Sequence, residues 1–198
     1  HLMSLPFLLG EEFSTLSGNV PYLFAEKTLI SEWREKVGMH GFKIGICWRG
    51  NPKNKRDHKR SFSVSEFEAF QGLDVRLISL CQNAENEIKD VKNIFIETLG
   101  PDFDAGPDAF IDCAAVISSL DLVITCDTAI AHLSGSLGIT TWLVLDKQGD
   151  WRWFKNHDNS SWYPKMRIFR QGIVDDWAEV FRNMKIMLID KIDDKSKD

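Results

Sequence analysis

The sequence predicts an α/β fold in which a parallel sheet is covered by helices on both faces. Three observations carry this. From residue 42 onward, short apolar runs alternate with stretches of helical periodicity. The connections between them are short, as buried parallel strands and their crossovers require. At residues 120–138 a strand-like run turns at Cys126-Asp127 and feeds directly into a helical pattern through Ile130, Leu133 and Leu137, stopping at Gly138.

Taken in order, residues 1–41 do not read as the start of a domain. Residues 2–6 and 20–23 are expected to be extended or turn-like, each fixed by a proline, Pro6 and Pro21. Residues 31–37 suit a short helix ended by Gly38, with Trp33 and Val37 on one face. This stretch reads as a linker that packs against another part of the protein. Strand one is expected at 43–48, followed by a basic loop from Arg49 to Arg60. Ser63-Val64-Ser65-Glu66 reads as a capping box opening an amphipathic helix through Phe67 and Phe70. Strand two is expected at 75–80 with polar residues 82–87 at its carboxyl end, and a short third strand at 93–97. A Pro/Gly/Asp loop at 100–108 precedes a helix at 110–120 whose buried side holds Phe110, Cys113, Ala114 and Ile117. Strand four is expected at 122–125, strand five at 140–145 and a sixth at 166–170. An amphipathic helix at 177–192 closes the fold, and the charged tail 193–198 is expected to fray.

Composition fits this reading. With 198 residues, 43% hydrophobic and 27% charged, the chain can bury one sizeable core. No apolar run approaches the length of a membrane span, and no signal peptide is visible. The four cysteines, Cys47, Cys81, Cys113 and Cys126, form no C-x-x-C pair and are expected as buried free thiols rather than a zinc site. Net charge is −5, yet the loop from Arg49 to Arg60 holds six cations against Asp57 alone. A compact basic loop on an acidic body points to a small anionic ligand rather than to nucleic acid, which needs a wider basic face. No G-x-G-x-x-G follows any strand, and neither G-x-x-x-x-G-K-[ST] nor G-x-S-x-G occurs.

Three features fall at carboxyl ends of parallel strands and so share one edge of the sheet. Strand one delivers Arg49 and the basic loop, strand two delivers Gln82, Glu85 and Glu87, and strand four delivers Asp127, Thr128 and a helix N-terminus. Asp127 is expected at the N-cap, with Thr128 and Ala129 small enough for a diphosphate to approach the backbone. His132 lies one turn below Thr128 on the same face. Cations and free N–H groups suit a diphosphate, and a nearby carboxylate or amide suits ribose hydroxyls or a base edge. The same residues also have bland explanations: Asp127 as an ordinary cap, the basic loop as a solvated run, Glu85 and Glu87 as exposed acids.

Gly45-Ile46-Cys47-Trp48-Arg49-Gly50-Asn51-Pro52, the run from Leu120 to Gly138 with Asp127-Thr128-Ala129 and Ala131-His132-Leu133, Asp150-Trp151-Arg152-Trp153 and Trp162-Tyr163-Pro164 together carry a resemblance. They resemble the C-terminal half of family 9 glycosyltransferases, the heptosyltransferase-like enzymes, above all the variant found behind TPR repeats. The resemblance runs from about residue 2 to the closing helix. It implies one half of a GT-B fold, a Rossmann-like domain that binds a nucleotide-sugar donor with no essential metal and no other cofactor. It further implies a cytoplasmic enzyme of cell-surface polysaccharide biosynthesis, with no nucleic-acid partner and no transmembrane segment. On that likeness Asp127, Thr128, Ala129 and His132 line the donor diphosphate. Arg49 and either Lys53 or Lys55 neutralise the leaving group, and Gln82 or Glu85 reaches the nucleoside.

The family's acceptor-binding N-terminal domain, with its general base, is absent from the sequence, which begins at His1. The expected organisation is therefore 1–41 as a linker or remnant of that domain, 42–192 as the nucleotide-sugar-binding domain and 193–198 as the tail. Such a half binds donor and stays inactive until an acceptor domain or partner chain completes it. The alternative is a non-catalytic nucleotide-binding or interaction module that keeps the half-fold. Asp102-Phe103-Asp104 matches the D-x-D of metal-dependent transferases, with a surface turn as the ordinary reading. Trp151-Arg152-Trp153-Phe154 suits packing more than stacking on a base. His40, His58 and His157 lack partners at ligand spacing and read as surface residues.

Overall fold

A computed structural model describes residues 5–10 and 19–195. Ahead of the sheet lie helices α1 (Leu5–Leu8) and α2 (Lys27–Val37), with buried Trp33 and Val37 in the latter. β1 (Phe42–Cys47) leads through a loop and the single turn α3 (Asp57–Arg60) to a 3₁₀ helix, Val64–Phe70. β2 (Val75–Ser79), α4 (Glu85–Ile88), β3 (Ile96–Glu97) and α5 (Ile111–Ile117) follow. β4 (Leu122–Cys126), α6 (Ala129–Ser136) and β5 (Thr141–Leu145) precede a 3₁₀ turn at Trp151–Trp153, β6 (Met166–Arg170) and α7 (Trp177–Lys195).

Among the described residues six strands form one parallel sheet, in the order β3-β2-β1-β4-β5-β6. The chain starts in the middle with β1, winds outward to β3, then returns to lay β4 on the other side of β1. That reversal opens a crevice beyond the carboxyl ends of β1 and β4, the place where such sheets take ligands. In register, Cys47 lies beside Thr125, so Arg49 and Asp127 emerge at the same point of the edge.

Side chains alternate between the two faces with the strand period of two, and both faces are buried. Ile44, Ile46, Leu122, Ile124 and Val144 face Phe62, Phe67, Phe70 and Phe181, where the Phe67 and Phe181 rings meet edge-on at 5.1 Å. Cys47, Ile78 and Val123 face the opposite way, against α2 and α5 through Trp33, Val37, Val116 and Ile117. The segment read as a linker thus docks on α5, where Trp33 Nε1 donates to Asp112 at 2.7 Å. The amino rim of the sheet is stitched by side chains. Arg76 donates to the carbonyls of Val37 and His40 and pairs with Glu97, and Lys195 pairs with Asp121 at 2.6 Å.

Several expectations need correction. Leu5–Leu8 is a helical turn, the turn-like of the two forms expected there, because Pro6 in a first turn forfeits only an N–H that lacks an intrahelical partner anyway. Leu2, Met3 and Ser4 lie outside the described residues. α2 begins at Lys27, a full turn before the expected start. The capping box is not closed: Ser63 Oγ accepts from Ser65 N–H, and the segment is 3₁₀ rather than α. The third strand shrinks to two residues, and at its expected start the Asn93 N–H goes to the Glu68 carboxylate rather than to a ladder. Phe110 is no buried helix residue but an exposed left-handed N-cap, φ 69°. α7 runs three residues past the expected end, held there by the Lys195–Asp121 pair; residues 196–198 lie outside the description.

Candidate functional site

β4 ends at Cys126, and Thr128, not Asp127, is the N-cap of α6. The Thr128 hydroxyl turns inward, 3.3 Å from Thr125 Oγ1 and 3.8 Å from Cys47 Sγ, so no side chain caps the helix. Asp127 is released from capping because its carboxylate accepts from Trp153 Nε1 at 2.9 Å. The first amides of α6 are therefore left for something else, in the position that favours an anion.

The basic loop closes over the same spot. Asp57, the lone acid of the run, is buried and accepts from Arg60 Nε at 2.9 Å; Arg60 Nη1 then donates to the Asp127 carbonyl at 2.8 Å. A Cβ on Gly50 would collide with both Arg60 and Asp57, so glycine lets the strand end pass this close. Between loop, junction and β2 end lies a cavity of about 460 Å³, lined among others by Arg49, Arg60, Gln82, Asp104, Thr128 and Ala129.

The remaining sequence-derived candidates are placed as follows. Arg49 lines the cavity, its Nε donating to Glu87 and its Nη2 to the Gln82 carbonyl, both at 2.7 Å. Glu87 also accepts from Trp48 Nε1, so this acid, and not Glu85, is the one that positions Arg49. Glu85 is exposed at the start of α4 and does not line the cavity, whereas Gln82 does and donates to the Asp104 carbonyl at 2.7 Å. Lys53 and Lys55 are exposed on the loop, outside the cavity wall. His132 points away from it: the imidazole stacks on Trp153 with centroids 5.1 Å apart, and Nδ1 meets Tyr163 Oη at 3.0 Å. Tyr163 in turn covers Gly135, where any Cβ would strike its ring. In the sequence nothing distinguishes Arg60 from the other cations of the loop except Asp57, the lone acid three positions before it.

Burial sets the electrostatics. It raises Asp127 above the usual carboxylate range, opposed chiefly by the Trp153 hydrogen bond. It lowers His132, opposed by the Asp127 charge. Asp104 is likewise raised by burial. Asp104 has a structural task, accepting from the N–H groups of Asp112 and Cys113 at the start of α5, while Asp102 is exposed. Trp153 is fully buried and Trp151 exposed, with Arg152 over its ring. His40, His58 and His157 are exposed, and all four cysteines are free thiols. Among the described residues, no group of three or more His, Cys, Asp or Glu side chains could hold a metal ion, and no helix is long and apolar enough to cross a membrane.

Neither a family model nor a curated protein sequence matches the chain. Solved structures do. The ADP-heptose lps heptosyltransferase II of E. coli superposes with a TM-score of 0.56 at 13% identity, over 86% of this chain and 54% of that one. The family 9 glycosyl transferase of Veillonella parvula DSM 2008 gives 0.52 at 14% identity, over 82% and 45%. The fold is that of about half a family 9 glycosyltransferase. At these identities the likeness is one of architecture, and the chain spans about half the length of each structure. Within the family 9 fold, the crevice at the β1/β4 reversal is the part of this chain where cations and free amides converge.

Proposed function

We propose that the chain is the donor-binding half of a metal-independent glycosyltransferase, binding a nucleoside-diphosphate sugar at the carboxyl edge of its sheet. One observation carries the reading: the uncapped start of α6 opens on a cavity flanked by Arg49 and Arg60. Glycosyl transfer expels a nucleoside diphosphate, so negative charge develops on the departing phosphate. Fixed N–H groups and guanidinium groups aimed at that oxygen stabilise the charge without a metal ion. In this reading the Thr128-Ala129 backbone receives the diphosphate, with Lys53 or Lys55 closing from the loop. Gln82 meets the nucleoside, Glu85 being a weaker candidate outside the wall. Asp127 and His132 belong to the supporting wall, holding Trp153 and Tyr163 behind the junction. Transfer also needs a base on the acceptor hydroxyl, which an acceptor domain or partner chain, in the cytoplasm, would supply. The chain alone is then competent to bind and unable to turn over.

Calorimetric titration with UDP, GDP and ADP tests this. Saturable binding of at least one, weakened tenfold or more (about 1.4 kcal/mol) by Arg60→Ala and by Arg49→Ala, supports it. Absence of binding to all three overturns it. The second reading, a non-catalytic interaction module with the same half-fold, is favoured by one fact: Arg49 and Arg60 already carry carboxylate partners in Glu87 and Asp57.

A further inference from the structure

The carboxyl edge carries another hollow, of about 440 Å³, beyond β5 and β6. Four cations line it, Arg56, Lys147, Lys155 and Arg170, together with Gln148 and Asn156, and no carboxylate. Elsewhere on this edge Arg49 pairs with Glu87, Arg60 with Asp57 and Arg152 with Asp150. Among the described residues, none of these four makes an ion pair. Gathering like charges without ion pairs in a concave site, on a chain of net charge −5, creates a local positive potential that draws anions.

Arg170 adds a second, independent sign. It ends β6 and spends Nη2 on the carbonyls of Trp153 and Phe154, at 3.3 and 2.7 Å. Its Nη1 is buried with no hydrogen-bond partner, packed where a Cβ on Gly149 would otherwise sit. A buried donor left unmet is costly, and a small swing of the guanidinium toward an acceptor oxygen in the hollow that Arg170 lines would remove that cost. Asp146, whose charge acts on Arg170, accepts from the Gly149 N–H at 2.6 Å and lines the neighbouring smaller hollow instead. That smaller hollow shares Arg56 and Gly149 with this one and Arg60 with the donor cavity, and is itself lined by three acids, Asp127, Asp146 and Asp150.

We propose that the hollow beyond β5 and β6 is an oxyanion subsite for a phosphate group, borne by a small molecule or as the free ion. The volume falls in the range of ligand pockets and exceeds what the ion alone fills. No residue of this hollow lines the donor cavity, so the proposal stands apart from the donor reading.

Inorganic phosphate titrated into the full chain at fixed ionic strength tests it. The expected result is saturable binding, weakened at least tenfold in K147A/K155A and held within twofold in K89A/K92A, which removes the same charge from exposed positions elsewhere. Glucose 6-phosphate distinguishes the sources: tighter binding than phosphate assigns the group to a phosphorylated ligand, equal or weaker binding assigns it to the free ion, and either keeps the subsite. No saturation, binding that persists unchanged in K147A/K155A, or equal loss in both double variants overturns it. Nucleoside diphosphate binding in K147A/K155A is expected to stay within twofold of the parent, and a parallel loss would erase the separate site. A chain that binds phosphate here and no nucleoside diphosphate loses the donor reading and keeps this one.

Discussion

His132 and Asp127 neighbour each other at the start of α6, and burial pushes them in opposite directions. His132 is held below its ordinary value, so on acidification the unfolded chain takes up the proton first, near pH 6.5. Stability from this residue is complete above that pH and is lost as pH falls below it. The urea midpoint should therefore drop between pH 7.5 and 5.5, and drop less in His132→Gln. Asp127, raised by burial, runs the other way: the fold prefers its neutral form, so stability declines as pH rises from about 3.8. Tyr163→Phe removes the hydroxyl bonded to His132 and should cost about 1 kcal/mol by denaturation at pH 7. At this scale the sequence was legible only in part. It marked Asp127, Thr128 and Arg49 correctly as edge residues. It could not show that Trp153, 26 positions on, would claim the Asp127 carboxylate, or that Asp57 would aim Arg60, because both depend on which loops fold over the edge.

Among the elements, helix starts diverge most from local pattern. α5 begins where the Asp104 carboxylate gathers the amides of Asp112 and Cys113, while Asp112 returns the favour to the Asp104 N–H at 3.0 Å. Asp104→Ala should destabilise by about 1–2 kcal/mol, read from chemical denaturation, because two helix amides lose their acceptor. Of the D-x-D pattern at residues 102–104, Asp104 is thus engaged at the start of α5 while Asp102 is exposed. Strands β1, β2, β4, β5 and β6 lie within a residue of where apolar runs placed them, since burial on both faces leaves a strong signal. β3 and the Val64–Phe70 segment were misjudged, because Glu68 and Ser63 chose backbone partners that no periodicity reveals.

For the whole molecule, the parallel class was legible from alternation, whereas the order of strands was not, because no sequence pattern tells on which side of β1 the fourth strand will lie. That order makes the carboxyl ends of β1 and β4 adjacent and brings a basic loop to an uncapped helix. If fixed cations and amides do the work of a metal, nucleoside diphosphate affinity should stay within twofold when 5 mM EDTA replaces added magnesium, a ~5 mM exchange that calorimetry resolves, whereas raising salt should weaken it as charge screening deepens.

The two rims of the sheet have separate tasks. Ion pairs and carbonyl clasps from Arg76 and Lys195 lace the amino rim shut, while the opposite rim is hollowed from β2 to β6. Anchoring the protein to a sensor chip through the Lys195 end of α7 therefore turns its laced side to the surface and leaves the hollowed side facing the flow.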